Sequence, residues 1–558
     1  MHSLFTSKYF SYFVFFFGCL VGLLCHLSIQ DGLYNSQIVA HVIDYKPSDL
    51  MYIWGINLWS IMSQITGLAL FVGVSEFTLS IILSITLNGL SFLALYLILR
   101  SITHNQFISF LAVIVTYLSQ HYLFGLSYEV SMSSWAFFNS TWGTYGFHFS
   151  LLAIGLFLTN HHRSSFFLCG LLFSIHFFLG SFIVFTLFMS ILLNKDKMKE
   201  YFNDSKFFLF GISITLLSYF INYLQYGDIE SSIPKESLTN FISGWDSHRD
   251  VSFDFFRSTV FVNLFAMIAS ITFYFRKKIR ESKILNWILV TSISCFIIFL
   301  FYFTGLLNYF AFLHVALPDR MFNFLYFLSL PVVAAMLYQR TIIPFSIFVC
   351  SVFLDFYIPI FINDFVTIYV LILLLLSGCF EFKANFSYHR HVKYFILFIC
   401  IIFIGSKVNF QQRYSRLTEF FNSELSQYLS KQKGMLLVSP LHISSKVQLY
   451  SRRPILMDTT ELSEISYAFH TYSKANHIMK DIFKVELNEN YKSLFIDYDG
   501  TETIEPNYVK QIWEKRSVEE WKNLSQVHGF NGVLAPLSWK INLETEFSNS
   551  SDKLLKIP

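Results

Sequence analysis

Apolar runs of roughly 18 residues or more recur along the chain from Tyr9 to Val408, divided by short polar or basic connectors, and beyond Gln411 they stop. Each run is long enough to cross a hydrocarbon core of about 30 Å as a helix, a conformation in which one segment satisfies its own backbone groups in lipid. The pattern predicts about thirteen spans, near 9–29, 77–99, 107–125, 146–160, 165–178, 181–194, 207–226, 255–275, 284–305, 322–338, 342–361, 365–380 and 393–409. The stretch 166–193 is read as a hairpin of two short helices broken near Gly180. The segment 31–75 has another texture. Tyr52, Trp54 and Trp59 stand in a moderately apolar stretch interrupted by Asn57 and Gln64, which predicts helices lying in the outer interface with their rings at headgroup depth.

The tail changes period. Short β-like runs at 435–438, 447–450, 454–457, 493–496 and 532–535 alternate with helical stretches near 461–485 and 506–527. The expected fold class is therefore an α-helical polytopic membrane protein, residues 1–409, with a small C-terminal α/β soluble domain, residues 410–558.

Composition agrees with lipid: 54% of the 558 residues are hydrophobic, only 14% are charged, and Phe occurs 67 times. A net charge of +3, scattered at helix ends, gives no footprint for nucleic acid. The seven cysteines (Cys19, Cys25, Cys169, Cys295, Cys350, Cys379 and Cys400) all fall in apolar segments, as expected of buried thiols without a disulfide framework. The run 9–29 is long and lacks a small-residue cleavage site, so it is read as the first span and not as a signal peptide. Basic connectors at 161–163, 195–206, 276–280, 340 and 383–393 fix the orientation when placed in the cytoplasm. An odd number of spans then follows, with the N-terminus cytoplasmic and the tail periplasmic or extracellular, in the inner (cytoplasmic) membrane.

Candidate chemistry gathers on the outer side, where ionisable residues at membrane depth are costly and line cavities. Asp31 directly follows the first span, ahead of Tyr34, Asn35, Gln37 and His41, with Asp44 and Asp49 beyond. Asp31 reads either as a cap of an interfacial helix or as a general base at the mouth of a lipid-lined cleft. Arg320 at a helix start suits bidentate pairing with phosphate, or a plain headgroup contact. His248 and Arg249, in a Trp-bearing outer loop, offer further donors to a diphosphate or sugar, and an exposed polar turn accounts for them as well. His176 is either a structural histidine or a substrate ligand, and Glu129 is a further acid. Arg452 and Arg453 are assigned to the tail's surface or to its packing on the membrane domain. No Walker A, HExxH, GxSxG or Cys-rich zinc pattern occurs. No residues are assigned to a metal, and a divalent-metal requirement is left open.

The stretch Asp31-Gly-Leu-Tyr-Asn-Ser-Gln-Ile-Val-Ala-His-Val-Ile, reaching Asp49 after a turn at Pro47, resembles the first outer loop of the GT-C superfamily of polytopic glycosyltransferases. That loop often opens with an Asp-Glu pair. Gly32 stands at the second position here and leaves Asp31 and Asp49 as parallel candidates for the catalytic acid. Ser174-Ile175-His176-Phe177-Phe178, Gly244-Trp245-Asp246-Ser247-His248-Arg249, Pro318-Asp319-Arg320 and the tail's Val438-Ser439-Pro440 and Ser451-Arg452-Arg453-Pro454 are similar in layout to large bacterial members. The resemblance implies a polyprenyl-phosphate-linked sugar as donor substrate, a glycan or lipid acceptor and no certain cofactor. A flippase or transporter of lipid-linked glycans and a non-catalytic envelope-assembly scaffold are the rival readings.

Overall fold

Apolar runs become helices that turn back at capped or polar breaks. A computed structural model describes residues 9–120, 141–193, 198–226, 283–304, 408–487, 494–498 and 501–558, with scattered positions from 241 to 406. In the first part lie α1 (Phe10–Cys25), α2 (Leu33–Val39), α3 (Leu50–Asn57), α4 (Ile61–Phe71), α5 (Glu76–Thr103), α6 (Gln106–Gln120), α7 (Trp142–Leu158), α8 (His162–Ile175), α9 (Phe177–Leu192), α10 (Met198–Asp204), α11 (Lys206–Tyr226) and α12 (Lys283–Phe303). Among the described residues, three helices are long and apolar enough to cross a membrane: Glu76–Thr103, Met198–Gln225 and Lys283–Phe301. Shorter apolar helices flank them, among them Phe10–Cys25, Trp142–Leu158 and Phe177–Leu192. On α11 the side chains of Leu209, Phe210, Leu216, Leu217, Phe220 and Leu224 are each more than half exposed, an apolar face suited to lipid. The spans expected at 255–275, 342–361 and 365–380, and most of 322–338 and 393–409, lie outside the described residues.

α1 packs antiparallel on α5, with Phe10 against Tyr96 near one end and Ser28 against Ser84 near the other. The α8–α11 crossing is closer still. A Cβ at Gly211 would stand 2.2 Å from the Phe167 carbonyl oxygen, and one at Gly170 would stand 2.3 Å from that of Phe208. Small residues at such a crossing let two backbones meet in lipid. Gly211→Ala is therefore expected to force the helices apart and lower stability by about 1–3 kcal/mol, read as an earlier melting transition of the detergent-purified protein.

The hairpin 166–193 is present, but its break falls at His176 and not at Gly180. His176 is extended (φ −156°, ψ 104°) and caps α9, its Nδ1 accepting from Leu179 N–H at 3.4 Å. Gly180 serves another purpose: a Cβ there would meet the Leu172 backbone at 2.8 Å, so glycine lets the two arms of the hairpin close.

The bundle has two distinct ends. At one, Lys283 reaches Asn160 and His162, and Arg163 pairs with Asp204, so basic connectors cluster there. At the other, Asn409 N–H donates to Leu24 O just below the end of α1, and the tail begins.

The tail comprises α13 (Phe410–Asn422), α14 (Glu424–Leu429), β1 (Met435–Val438), α15 (Ser444–Ser451), α16 (Tyr472–Ile478, prolonged by a wide turn over Met479–Phe483), β2 (Phe495–Tyr498), β3 (Thr501–Ile504), α17 (Pro506–Lys515), α18 (Val518–His528), β4 (Phe530–Pro536), β5 (Glu544–Ser548) and β6 (Asp552–Lys556). Its sheet runs β1-β4-β6-β5, parallel between β1 and β4 and antiparallel elsewhere, and β2-β3 form a separate hairpin. The expected strand at 447–450 is instead helix α15. Val447 and Leu449 imitate a strand's alternation, yet Val447, Gln448 and Leu449 are all buried because the helix is covered by the tail and by α2. The expected strand at 454–457 contributes a single parallel bridge, Leu436 to Ile455. The helix expected over 461–485 is broken into short 3-10 turns at Leu462–Ser466 and Phe469–Thr471 before α16.

The apolar side of α3 and the end of α2 belong to the tail's core, while Leu33 at the start of α2 packs with the bundle. Ile38, Tyr45, Leu50, Met51 and Trp54 cluster with tail residues such as Leu436, Ile455 and Ile478. Trp54 is buried and donates to Thr471 Oγ1 at 3.0 Å, so its ring is covered by the tail and not by lipid headgroups. Trp59 donates to Ser218 of α11 at 3.2 Å. The boundary at 409/410 divides the chain but not the packing.

Candidate functional site

Polar side chains weld the tail to the bundle. The Arg452 guanidinium makes two 2.8 Å bonds to the Glu76 carboxylate at the start of α5. Gln37 of α2 donates to Glu76 at 2.8 Å and to the Leu449 carbonyl at 2.9 Å. Tyr45 O–H donates to Gln448 at 2.8 Å and accepts from Ile455 N–H at 2.9 Å. All five of these side chains are absent from the cavity that the junction encloses.

That cavity, about 550 Å³, lies where the turn before α2, the α3–α4 link, the start of α7, the α8–α9 turn, the start of α15 and the tail turns over 460–467 meet. The bundle contributes Asp31, Asn35, Trp59, Trp142, His176, Phe177 and Phe178; the tail contributes Lys446, Glu461, Glu464 and Tyr467. Carboxylates, an imidazole, one ammonium and a set of rings thus share one enclosure, the mixture expected where a polar ligand is gripped by few groups amid apolar walls.

Local structure explains each placement. Asp31 begins the turn into α2, and its backbone carbonyl accepts from Tyr34 N–H at 3.1 Å. A Cβ on Gly32 would stand 2.7 Å from the Trp142 ring, so a second acid at that position would displace the indole. This is the physical reason that an Asp-Glu pair has no room here. His176 projects from the hairpin apex, with its Cβ over Gly146 of α7. Its bond from Leu179 N–H assigns Nδ1 as acceptor and leaves Nε2 as the donor nitrogen of the neutral ring.

On the tail side, buried Asp458 organises the acidic loop. Its carboxylate accepts from Ser445 N–H at 2.6 Å, Thr460 N–H at 2.9 Å and Thr460 O–H at 2.7 Å. Burial, followed by the negative charges of Glu464, Asp458 and Asp31, pushes the Glu461 carboxyl well above the usual carboxylate range. The folded chain therefore holds that proton more tightly than the unfolded chain. This contribution is complete below the ordinary carboxylate range and is lost as pH rises through the raised value. Glu461→Gln, which cannot ionise, is expected to flatten this decline, seen as a smaller fall in melting temperature from pH 5 toward pH 9 than in the wild type.

The residues singled out in the sequence separate. Asp31 and His176 meet in the cavity. Asp49 does not: it ends an exposed turn, where its carboxylate accepts from Lys46 N–H at 2.7 Å, and Asp44 is exposed nearby. Glu129, His248, Arg249 and Arg320 lie outside the described residues. Glu461, Glu464, Lys446 and Trp142 went unremarked in the sequence. A signal existed in the three acids Asp458, Glu461 and Glu464 at three-residue spacing, which otherwise resembles a solvated helix face.

A second hydrogen-bonded chain has the residue types of a hydrolase triad: Ser439 Oγ to His442 Nδ1 at 2.8 Å and His442 Nε2 to Asp552 at 2.7 Å. Ser439 is 0% exposed, so no substrate carbonyl reaches it, and the chain acts as a clasp between the end of β1 and the start of β6. Compared with known proteins, the chain matches no family model and no curated protein.

Proposed function

We propose that the chain is a membrane glycosyltransferase of the GT-C type, moving a sugar from a polyprenyl-phosphate-linked donor to a glycan or lipid acceptor in the cavity beneath the tail. The observation that carries this reading is Asp31 standing with His176, Lys446 and two further acids in one ring-lined enclosure. Carboxylates and aromatic faces suit sugar hydroxyls and C–H faces, and an apolar bundle alongside suits a polyprenyl chain. Asp31 takes the proton of the acceptor hydroxyl as that oxygen attacks the anomeric carbon. The bond from carbon to the phosphate oxygen breaks, and the lipid phosphate leaves with its electron pair. Lys446 opposes the leaving charge, and Glu461, whose carboxyl holds its proton more tightly than an exposed one, offers a hydrogen bond to sugar or phosphate. Single displacement gives inversion. In this reading about thirteen spans place the cavity and the tail on the outer face of the cytoplasmic membrane, with Arg320, His248 and Arg249 as added phosphate ligands and Glu129 as a further acid.

The test is release of polyprenyl phosphate from a lipid-linked sugar by the purified protein in vesicles, with Asp31→Asn as control. Movement of intact lipid across the bilayer without cleavage would replace this reading by the flippase one.

A further inference from the structure

None of the cavity's lining residues belongs to a second cluster in the tail, formed by His477, Asp481 and His528. We propose that these three form a zinc-type transition-metal site, with two imidazole nitrogens and one carboxylate oxygen as ligands and the remaining position open to solvent.

Their geometry suits a chelate. Asp481 Oδ2 lies 3.0 Å from His528 Nε2 and 3.3 Å from His477 Nε2, and the three ligand atoms all lie within 4.8 Å of one another. Ligands bound at about 2.1 Å around tetrahedral zinc stand about 3.4 Å apart, so small side-chain adjustments close the site. Two nitrogens and a carboxylate oxygen form a borderline donor set, which favours zinc over calcium or magnesium.

The fold holds these side chains without help from the metal. His477 and Asp481 are four residues apart on one face of α16 and its wide turn. His528 is the last residue of α18, stopped there by Gly529 at φ +80°. The His528 side chain is 5% exposed and so is fixed, whereas that of His477 is 61% exposed and gives a metal its entry path. Nearby cations oppose the site only in part. Arg516 directs its donors to the carbonyls of Asp481 and Ile482, and Lys480 pairs with Glu486; Lys474, on α16, bears on His528 across the gap to α18. A bound ion would join α16 to the end of α18.

Full-length protein stripped with a chelator and titrated with Zn2+ against a chromophoric competitor is expected to bind one equivalent through this site. His477→Ala and Asp481→Asn are each expected to weaken that equivalent by at least about tenfold. Co2+ in place of zinc should give the visible absorption of a low-coordinate ion, lost in both variants. His477→Ala changes an exposed residue, so its melting temperature without metal should equal that of the wild type and exclude misfolding as the cause. No saturable equivalent in the wild type, or the same affinity in both variants, overturns the proposal and leaves the cluster as an ion pair shared between two histidines.

Discussion

Asp31→Asn is expected to lower sugar transfer by at least about a hundredfold, while Asp49→Asn stays within about twofold of the wild type. The contrast rests on position. Both acids follow the first apolar run, but only Asp31 reaches the cavity, whereas Asp49 uses its carboxylate to close a turn through Lys46. Asn preserves the volume of Asp and removes its ability to take a proton, so a general base loses rate while donor binding is largely kept. Rates of polyprenyl phosphate release measured at saturating donor separate the two effects. Equal losses in both variants would mean that the cavity is not where the proton moves.

Arg452→Ala is expected to loosen the tail from the bundle. The Glu76 side chain is only 7% exposed, and without Arg452 it keeps the Gln37 amide as a donor. Breaking a buried pair typically costs about 3–5 kcal/mol, but the Arg452 side chain is 44% exposed and water can replace part of its role, which reduces the expected loss to about 1–2 kcal/mol. Arg452 also ends α15 in the left-handed region at φ +53°, where a side chain is strained by roughly 1 kcal/mol relative to glycine. Arg452→Gly should therefore melt above Arg452→Ala yet below the wild type, and both should release the tail to protease faster. If Arg452→Ala melts with the wild type, the ion pair does not hold the tail.

The helical bundle was legible because its apolar runs are long and continuous. Runs such as 77–99 and 207–226 are apolar on every side, and the observed helices at Glu76–Thr103 and Lys206–Tyr226 match them closely. The hairpin within 166–193 was legible too, though not its apex. Glycine draws attention as a breaker, but Gly180 marks a close approach and an extended His176 makes the turn. In the tail, strand and helix were confused at 447–450, since a short run buried on several sides has no period to read. Strands β5 and β6 carry Glu544, Glu546, Asp552 and Lys553 among few apolar residues and gave no strand signal.

Of the site, Asp31 and His176 were visible as single residues because polar groups next to apolar runs stand out. Their meeting with Glu461 and Glu464 was not, since more than 400 residues separate Asp31 from Glu461 along the chain. By itself, the sequence determined that this protein carries long apolar helices followed by a more polar tail of mixed strand and helix, because hydrophobicity is a local property summed over a window. Only the tertiary structure decided that α3 and the end of α2 join the tail's core, that Gly32 makes room for Trp142 and that Asp31, not Asp49, faces the tail's acids. Those outcomes depend on side-chain contacts between distant segments, where a gap of a few ångströms separates a group that lines a cavity from one that closes a turn.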